Sequence, residues 1–261
     1  MSKASIRASL EKHPILAGAG IGCVDEVLDA GLVRSYAPGE FLSREGQKAW
    51  AYWFLLSGSV RVFYTSPDGD EITVKLFAAP AAWAEMQVLH DYIHTEDCVA
   101  TEPATVLCLP KTHFERILDA HPRFMKTVLL DAGARFLIAT QHERALAFLT
   151  LPQRLAYLLL SYARLYGVVV DDVVVIRTRL SQNDLALGLG ASRKSVARAF
   201  QEWKQNGLIG RRGRYTAVRN VEALTALLPD NLLGIDWVSG RKLAMEPPVS
   251  EREETPTRKK R

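Results

Sequence analysis

The chain of 261 residues has only three cysteines, Cys23, Cys98 and Cys108, far apart and with no C-x-x-C pair. An odd, scattered set argues against a disulfide framework and against a cysteine-built zinc or iron–sulfur site. Also missing is any apolar run near the ~20 residues that a membrane-spanning helix needs. The opening residues, Met1-Ser2-Lys3-Ala4-Ser5-Ile6-Arg7, lead to no apolar stretch with a cleavage site, so a reducing cytoplasm and no membrane are the expectation. Charge is not extreme: 33 Lys and Arg against 29 Asp and Glu give +4. With 48% hydrophobic and 24% charged residues, disorder along the whole chain and collagen-like or coiled-coil composition are out. The length fits one large domain or two small ones.

Basic residues are unevenly placed. Residues 178–220 hold nine Lys and Arg and two acids, whereas residues 1–177 are net −3. A short, strongly basic stretch on a slightly acidic chain points to an anionic polymer as partner.

Residues 36–110 read as short strands. Tyr52-Trp53-Phe54-Leu55-Leu56, Val60-Arg61-Val62-Phe63-Tyr64, Glu71 to Phe77, Cys98 to Thr101 and Ala104 to Leu109 are separated by turn signals such as Ser57-Gly58 and Ser66-Pro67-Asp68-Gly69. That spacing predicts an all-β roll or barrel. From Lys111 the period becomes helical, with a boundary at His121-Pro122. Residues 123–149 contain no proline and predict one helix about 40 Å long. Its apolar stripe outruns the core of a small domain, and a second copy of the chain is the simplest partner. Another apolar helix follows Leu151-Pro152, and the Val-rich residues 168–176 read as a hairpin around Asp171-Asp172. Residues 240–261 are polar, contain Pro247-Pro248 and read as a disordered tail.

Within the basic stretch, Ser181-Gln182-Asn183-Asp184 is placed to start a helix. Gly188-Leu189-Gly190-Ala191 breaks it, and Ser192 caps a second helix that runs to Asn206-Gly207. Two short helices around a glycine-bearing turn form a helix-turn-helix. At about 100° per residue, Val196, Ala199, Phe200 and Trp203 share one face of the second helix. Lys194, Ala197, Arg198 and Gln201 share another, with Arg193 at the start. Arginine forks can bond guanine O6 and N7 in the major groove. Arg211-Arg212-Gly213-Arg214 reads as the tip of a small β wing, suited to phosphates.

These segments resemble the superfamily of the cyclic-AMP receptor protein and the fumarate–nitrate reduction regulator, Crp/Fnr. The resemblance covers roughly residues 15–228. It is carried by Leu146-Ala147-Phe148-Leu149 to Arg154-Leu155-Ala156, by Leu180 to Ala186 and Gly190 to Arg198, by Gly207-Leu208-Ile209, and in the roll by Gly39-Glu40, Gly46, Leu56-Ser57-Gly58-Ser59-Val60 and Gly69. It implies an α+β chain in three parts. Residues 15–122 would be an effector-sensing β-roll (a jelly roll like the cyclic-nucleotide-binding domain), 123–150 a dimerisation helix, and 151–228 a winged helix-turn-helix. It further implies a homodimeric transcription regulator, not an enzyme, on double-stranded DNA with a pseudo-palindromic operator, touching RNA polymerase. On the DNA face, Arg193 and Arg198 match guanine-reading arginines. Lys194 replaces a glutamate, and Ser181, Gln182 and Ser192 match positions at phosphates. Ser195, Arg211, Arg212 and Arg214 complete the expected interface.

The resemblance places an effector pocket at Glu85, His94, Thr95 and Thr140. Cyclic-nucleotide binders carry Gly-Glu and Arg-Ser pairs where this chain has Ala84-Glu85 and His94-Thr95. Without the arginine fork, cyclic AMP is disfavoured. Iron–sulfur sensing lacks its cysteine cluster, haem has no supported ligand among His90, His94, His113, His121 and His142, and the cofactor stays unknown. Two other classes remain open: a cyclic-nucleotide receptor module with a protein-binding output, and a cupin-like enzyme. The basic helix and wing speak against the first. No His/Glu metal set between Tyr36 and Leu109 supports the second.

Overall fold

The computed structural model describes residues 1–229 apart from Asp70 and Arg179. The tail expected at residues 240–261 lies outside the described residues. Helix α1 (Lys3–Glu11) is capped by the Ser2 hydroxyl, which accepts from the Ser5 amide at 3.2 Å. A one-turn 3-10 helix (Pro14–Leu16) and α2 (Ile21–Ala30) follow. The strand-and-turn reading gave no sign of α1 or α2. Ile6 and Leu10, four apart, put one stripe of α1 into the core. His13 fastens this segment. Its Nδ1 accepts from the Ile15 amide at 3.3 Å and its Nε2 lies 3.1 Å from the Ala81 carbonyl. Burial holds its pKa down to about 4, so the ring is neutral and donates to Ala81.

The roll comprises β1 (Leu32–Tyr36), β2 (Phe41–Ser43), β3 (Ala51–Ser57), β4 (Ser59–Thr65), β5 (Glu71–Ala78), β6 (Ala81–Trp83), the short α3 (Glu85–Leu89), β7 (Asp97–Ala100) and β8 (Ala104–Pro110). Two antiparallel four-stranded sheets, in orders β1-β8-β3-β6 and β2-β7-β4-β5, share one core. Tyr52, Trp53 and Phe54 of β3 lie at its centre, with almost no exposure. Between β3 and β4, Gly58 has φ +85°, and a Cβ there would lie 2.3 Å from the Pro103 carbonyl oxygen. Glycine is therefore required at this turn.

Helix α4 (Lys111–Ala120) leads through His121 into α5 (Pro122–Phe148), the predicted long helix, unbroken at Gly133. Helix α6 (Leu151–Tyr166) opens on a capping box of Thr150 and Gln153, with Pro152 inside its first turn. Proline is tolerated there because the first amides have no helical partner. The hairpin β9 (Gly167–Val170) and β10 (Val173–Ile176) turns on Asp171 and Asp172, both at positive φ. Helices α7 (Gln182–Gly188) and α8 (Arg193–Gln205), strands β11 (Ile209–Arg212) and β12 (Tyr215–Val218), and α9 (Val221–Thr225) complete the described chain. A third sheet, β11-β12-β10-β9, joins the predicted hairpin to the predicted wing. A second core of Leu155, Leu159, Leu185, Val196, Trp203 and Ile209 lies beneath it.

Candidate nucleic-acid interface and effector cavity

The two helices of the helix-turn-helix, α7 and α8, are built by local chemistry. The Ser181 hydroxyl accepts from the Asp184 amide at 3.0 Å and starts α7. Gly190, at φ +57°, makes the turn, and the Ala191 amide returns to the Ala186 carbonyl at 3.0 Å. The Ser192 hydroxyl accepts from the Ser195 amide at 3.1 Å and starts α8. Val196, Ala199 and Trp203 are buried against Leu185, Ala186 and Leu189. Arg193, Lys194, Ser195 and Arg198 are exposed, as is Gln201. Among the described residues the side chains of Arg193, Lys194 and Arg198 form no ion pair. Three cations on one solvent-facing side of a capped helix offer their full donor capacity to an incoming polymer. Gln182 lies half-buried at the start of α7.

The wing differs. Gly213, at φ +59°, turns β11 into β12 and exposes Arg211, Arg212 and Arg214. Arg212 is ion-paired with Asp171 in the β9–β10 turn. Arg214 lies 3.2 Å from Glu102 of the roll and donates to the Tyr215 hydroxyl at 3.0 Å.

Between the roll and α5 is a cavity of roughly 470 Å³, within the ordinary range for small-molecule sites. Phe77, Trp83, Leu129 and Phe136 supply apolar wall, and Lys75, Glu85, His94, Glu96 and Arg135 supply polar groups. Thus the structure brings Glu85 and His94 together and leaves Thr95 and Thr140 out of the lining. Thr95 is exposed and donates to Glu96 at 2.7 Å, while Thr140 donates back to the Leu137 carbonyl at 2.9 Å. Glu85 is buried, with Oε1 2.8 Å from Arg135 and Oε2 lacking a donor among the described residues. Arg135 also lies 3.1 Å from Asp131 and donates to the Ala82 carbonyl at 3.0 Å. Its two carboxylate contacts are close ion pairs without aligned hydrogen bonds. Burial raises the Asp131 carboxyl against the opposing pull of Arg135.

Motif reading missed Arg135 and Asp131, although their spacing of four on a helix is a recognisable pair signal. It also missed Lys75 and Glu102, which are ordinary charged residues until the strands fold.

A cyclic phosphate asks for a cationic fork with hydroxyl support. Here Arg135 is neutralised by two carboxylates, burial lowers the His94 pKa and keeps its ring neutral, and Thr95 lies outside the wall. Lys75 is a lone point charge on an exposed part of β5. These residues do not fit a cyclic nucleotide. The cysteines are buried in α2, β7 and β8, and burial pushes the Cys23 and Cys108 thiols up to about 11 and Cys98 higher still. They are small core residues, not thiolates. Trp83 lines the cavity, Trp53 lies in the core and Trp50 packs at its edge.

The Cyclic nucleotide-binding domain family matches residues 33–121, and the Crp-like helix-turn-helix domain family matches residues 153–227. Together they take in more than half of the chain, in the order that the fold displays. The chain belongs to the Crp/Fnr superfamily. Its members are transcription regulators and not enzymes. The chain is similar to the Global nitrogen regulator of Synechocystis sp., with 26% identity over 69% of this chain and 81% of that one. It is also similar to the CRP-like cAMP-activated global transcriptional regulator of Mycobacterium tuberculosis, with 22% identity over 80% and 96%. Among solved structures, FixK2 from Bradyrhizobium japonicum shares the fold at TM-score 0.66, 20% identity, 76% of this chain and 98% of that one. As a Crp/Fnr protein, the chain is a DNA-binding transcription regulator with a winged helix-turn-helix. No described helix is long and apolar enough to cross a membrane.

Proposed function

We propose that this Crp/Fnr protein works as a cytoplasmic homodimer on an inverted-repeat operator and answers a signal at the roll cavity. The observation that carries the reading is the exposed set of Arg193, Lys194 and Arg198, without an ionic partner among the described residues, on a helix whose opposite face is buried. Arg193, Lys194 and Arg198 read base edges. Ser181, Gln182, Ser192, Ser195, Arg211, Arg212 and Arg214 meet the phosphate backbone. Lysine cannot accept a bond from cytosine N4, so Lys194 selects a base other than the one a glutamate would.

Helix α5 supplies the dimer face. Leu129, Phe136 and Phe148 are 70%, 67% and 82% exposed, a cost that a second copy of the helix removes by covering them. Two copies of α8 then enter successive major grooves about 34 Å apart. Glu85 and His94 face the effector. A shift of α5 changes the spacing of the two reading helices, and contact with RNA polymerase follows by family analogy.

Selection of bound duplexes from a random pool tests this, with sedimentation of the protein alone. The expected results are a dimer, an inverted repeat with half-sites about 10 base pairs apart, and a steep loss of affinity with salt. A stable monomer, or equal affinity for all duplexes at cellular ionic strength, overturns it.

A further inference from the structure

The wing arginine Arg214 is engaged by the roll. Its partner, Glu102, lies in the turn between β7 and β8, is 7% exposed, and is 3.2 Å from the guanidinium. The Glu102 Oε1 atom has no aligned donor among the described residues, and the Arg214 guanidinium is a cation within ion-pair distance of it. Burying a carboxylate without a cation is costly, so this pair ties the wing to the roll. Arg214 itself is 61% exposed, and nothing buries it if it leaves. The pair sits at a cleft that Gly58, Ala79, Pro103, Arg177 and Tyr215 also line.

Two further contacts seat the reading head on the roll. Arg61 of β4 lies 4.0 Å from Asp184 of α7. Leu76 of β5 belongs to the second core, beside the α6 and α7 side chains. The neighbours of Leu76 on the strand, Lys75 and Phe77, line the effector cavity instead. Strand alternation therefore gives β5 one face toward the cavity and one toward the reading head. Strand β7 does similar service, since Cys98 lines the cavity and Glu102 follows the end of the strand at Ala100.

We propose that Glu102 and Arg214 form an autoinhibitory latch, in which the roll's carboxylate and the DNA backbone compete for one wing guanidinium. Strands β5 and β7, which both contribute to the cavity wall, are placed to loosen it when the cavity is filled. The proposal rests on the reading that the wing meets phosphate. In the docked arrangement Arg214 is held at the roll, and DNA binding must first break that pair.

The test uses the full chain, with fluorescence anisotropy on a selected operator and on a random-sequence duplex. Glu102→Gln keeps the volume and removes the charge. It should raise affinity for both duplexes roughly two- to fivefold, the range of an ion pair with one exposed partner. In an Arg214→Ala background the same change should do nothing, because the competed group is gone. Where Glu102→Gln lowers the melting temperature, Glu102→Asp withdraws the carboxylate by one methylene and should give a smaller gain. An unchanged affinity, or an equal gain with and without Arg214, overturns the latch. Absence of DNA binding by the unaltered chain instead overturns the wing reading beneath it.

Discussion

Helix α8 and the cavity between the roll and α5 both carry arginine, in opposite surroundings. Arg193 and Arg198 stand in solvent with no ionic partner among the described residues. The Arg135 side chain is 15% exposed and lies between Glu85 and Asp131. The first pair contributes little to the fold, and its donors stay available for a partner. The third is part of the fold's own charge balance, so its removal strands two carboxylates in a poorly solvated place. The wing lies between these cases, with Arg212 and Arg214 exposed but paired to acids.

The largest effect expected from breaking this contrast is on recognition. Replacing Arg193 and Arg198 together by Ala should lower operator affinity by about 1–3 kcal/mol for each. Melting should stay within about 0.5 kcal/mol of the parent. Anisotropy and calorimetry check both, and a large fall in stability would show that these arginines support the fold. Arg135→Ala should do the reverse and cost about 3–5 kcal/mol of folding stability by urea titration. Adding Glu85→Gln should return part of that loss.

The next expected effect is a dependence on pH. His13 is held neutral with a pKa of about 4 against an ordinary 6.5. Below pH 6.5 the unfolded chain takes up a proton that the folded chain refuses. Stability should therefore fall between pH 6.5 and pH 4, by up to about 3 kcal/mol, and then level off. His13→Gln should flatten that part of the profile, and an unchanged slope would refute the assignment. The smallest effect belongs to a cap: Ser192→Ala should cost about 1 kcal/mol and loosen the first turn of α8, read by amide exchange at Ser195.

Where physics is local, the chain was legible. The caps at Ser181 and Ser192, the glycine turn, the alternation of faces on α8, the break at His121-Pro122 and the turn at Asp171-Asp172 all act within a few residues. They formed where the pattern placed them. Strand β1 was missed because four of its five residues are exposed, so no apolar alternation marks it. Strand β6 is three residues long, below what periodicity can register. The N-terminal helices were missed because α1 has a stripe of only two buried residues, Ile6 and Leu10, packed on a core formed later in the chain, and α2 starts after Gly20 without a side-chain cap. Of the expected effector residues, Glu85 and His94 reach the cavity wall, and Thr95 and Thr140 turn to residues close to them in the chain.

By itself, the order of residues determined the basic reading helix, its caps and the division into roll, long helix and winged head, since each follows from propensity, periodicity and charge over short spans. Only the tertiary structure decided which charges are available. It set Asp131 and Arg135 against Glu85, brought Glu102 to Arg214 across 112 positions, and gave the two faces of β5 to different domains. Coulomb energy and desolvation depend on distance and burial, and neither is written in sequence separation.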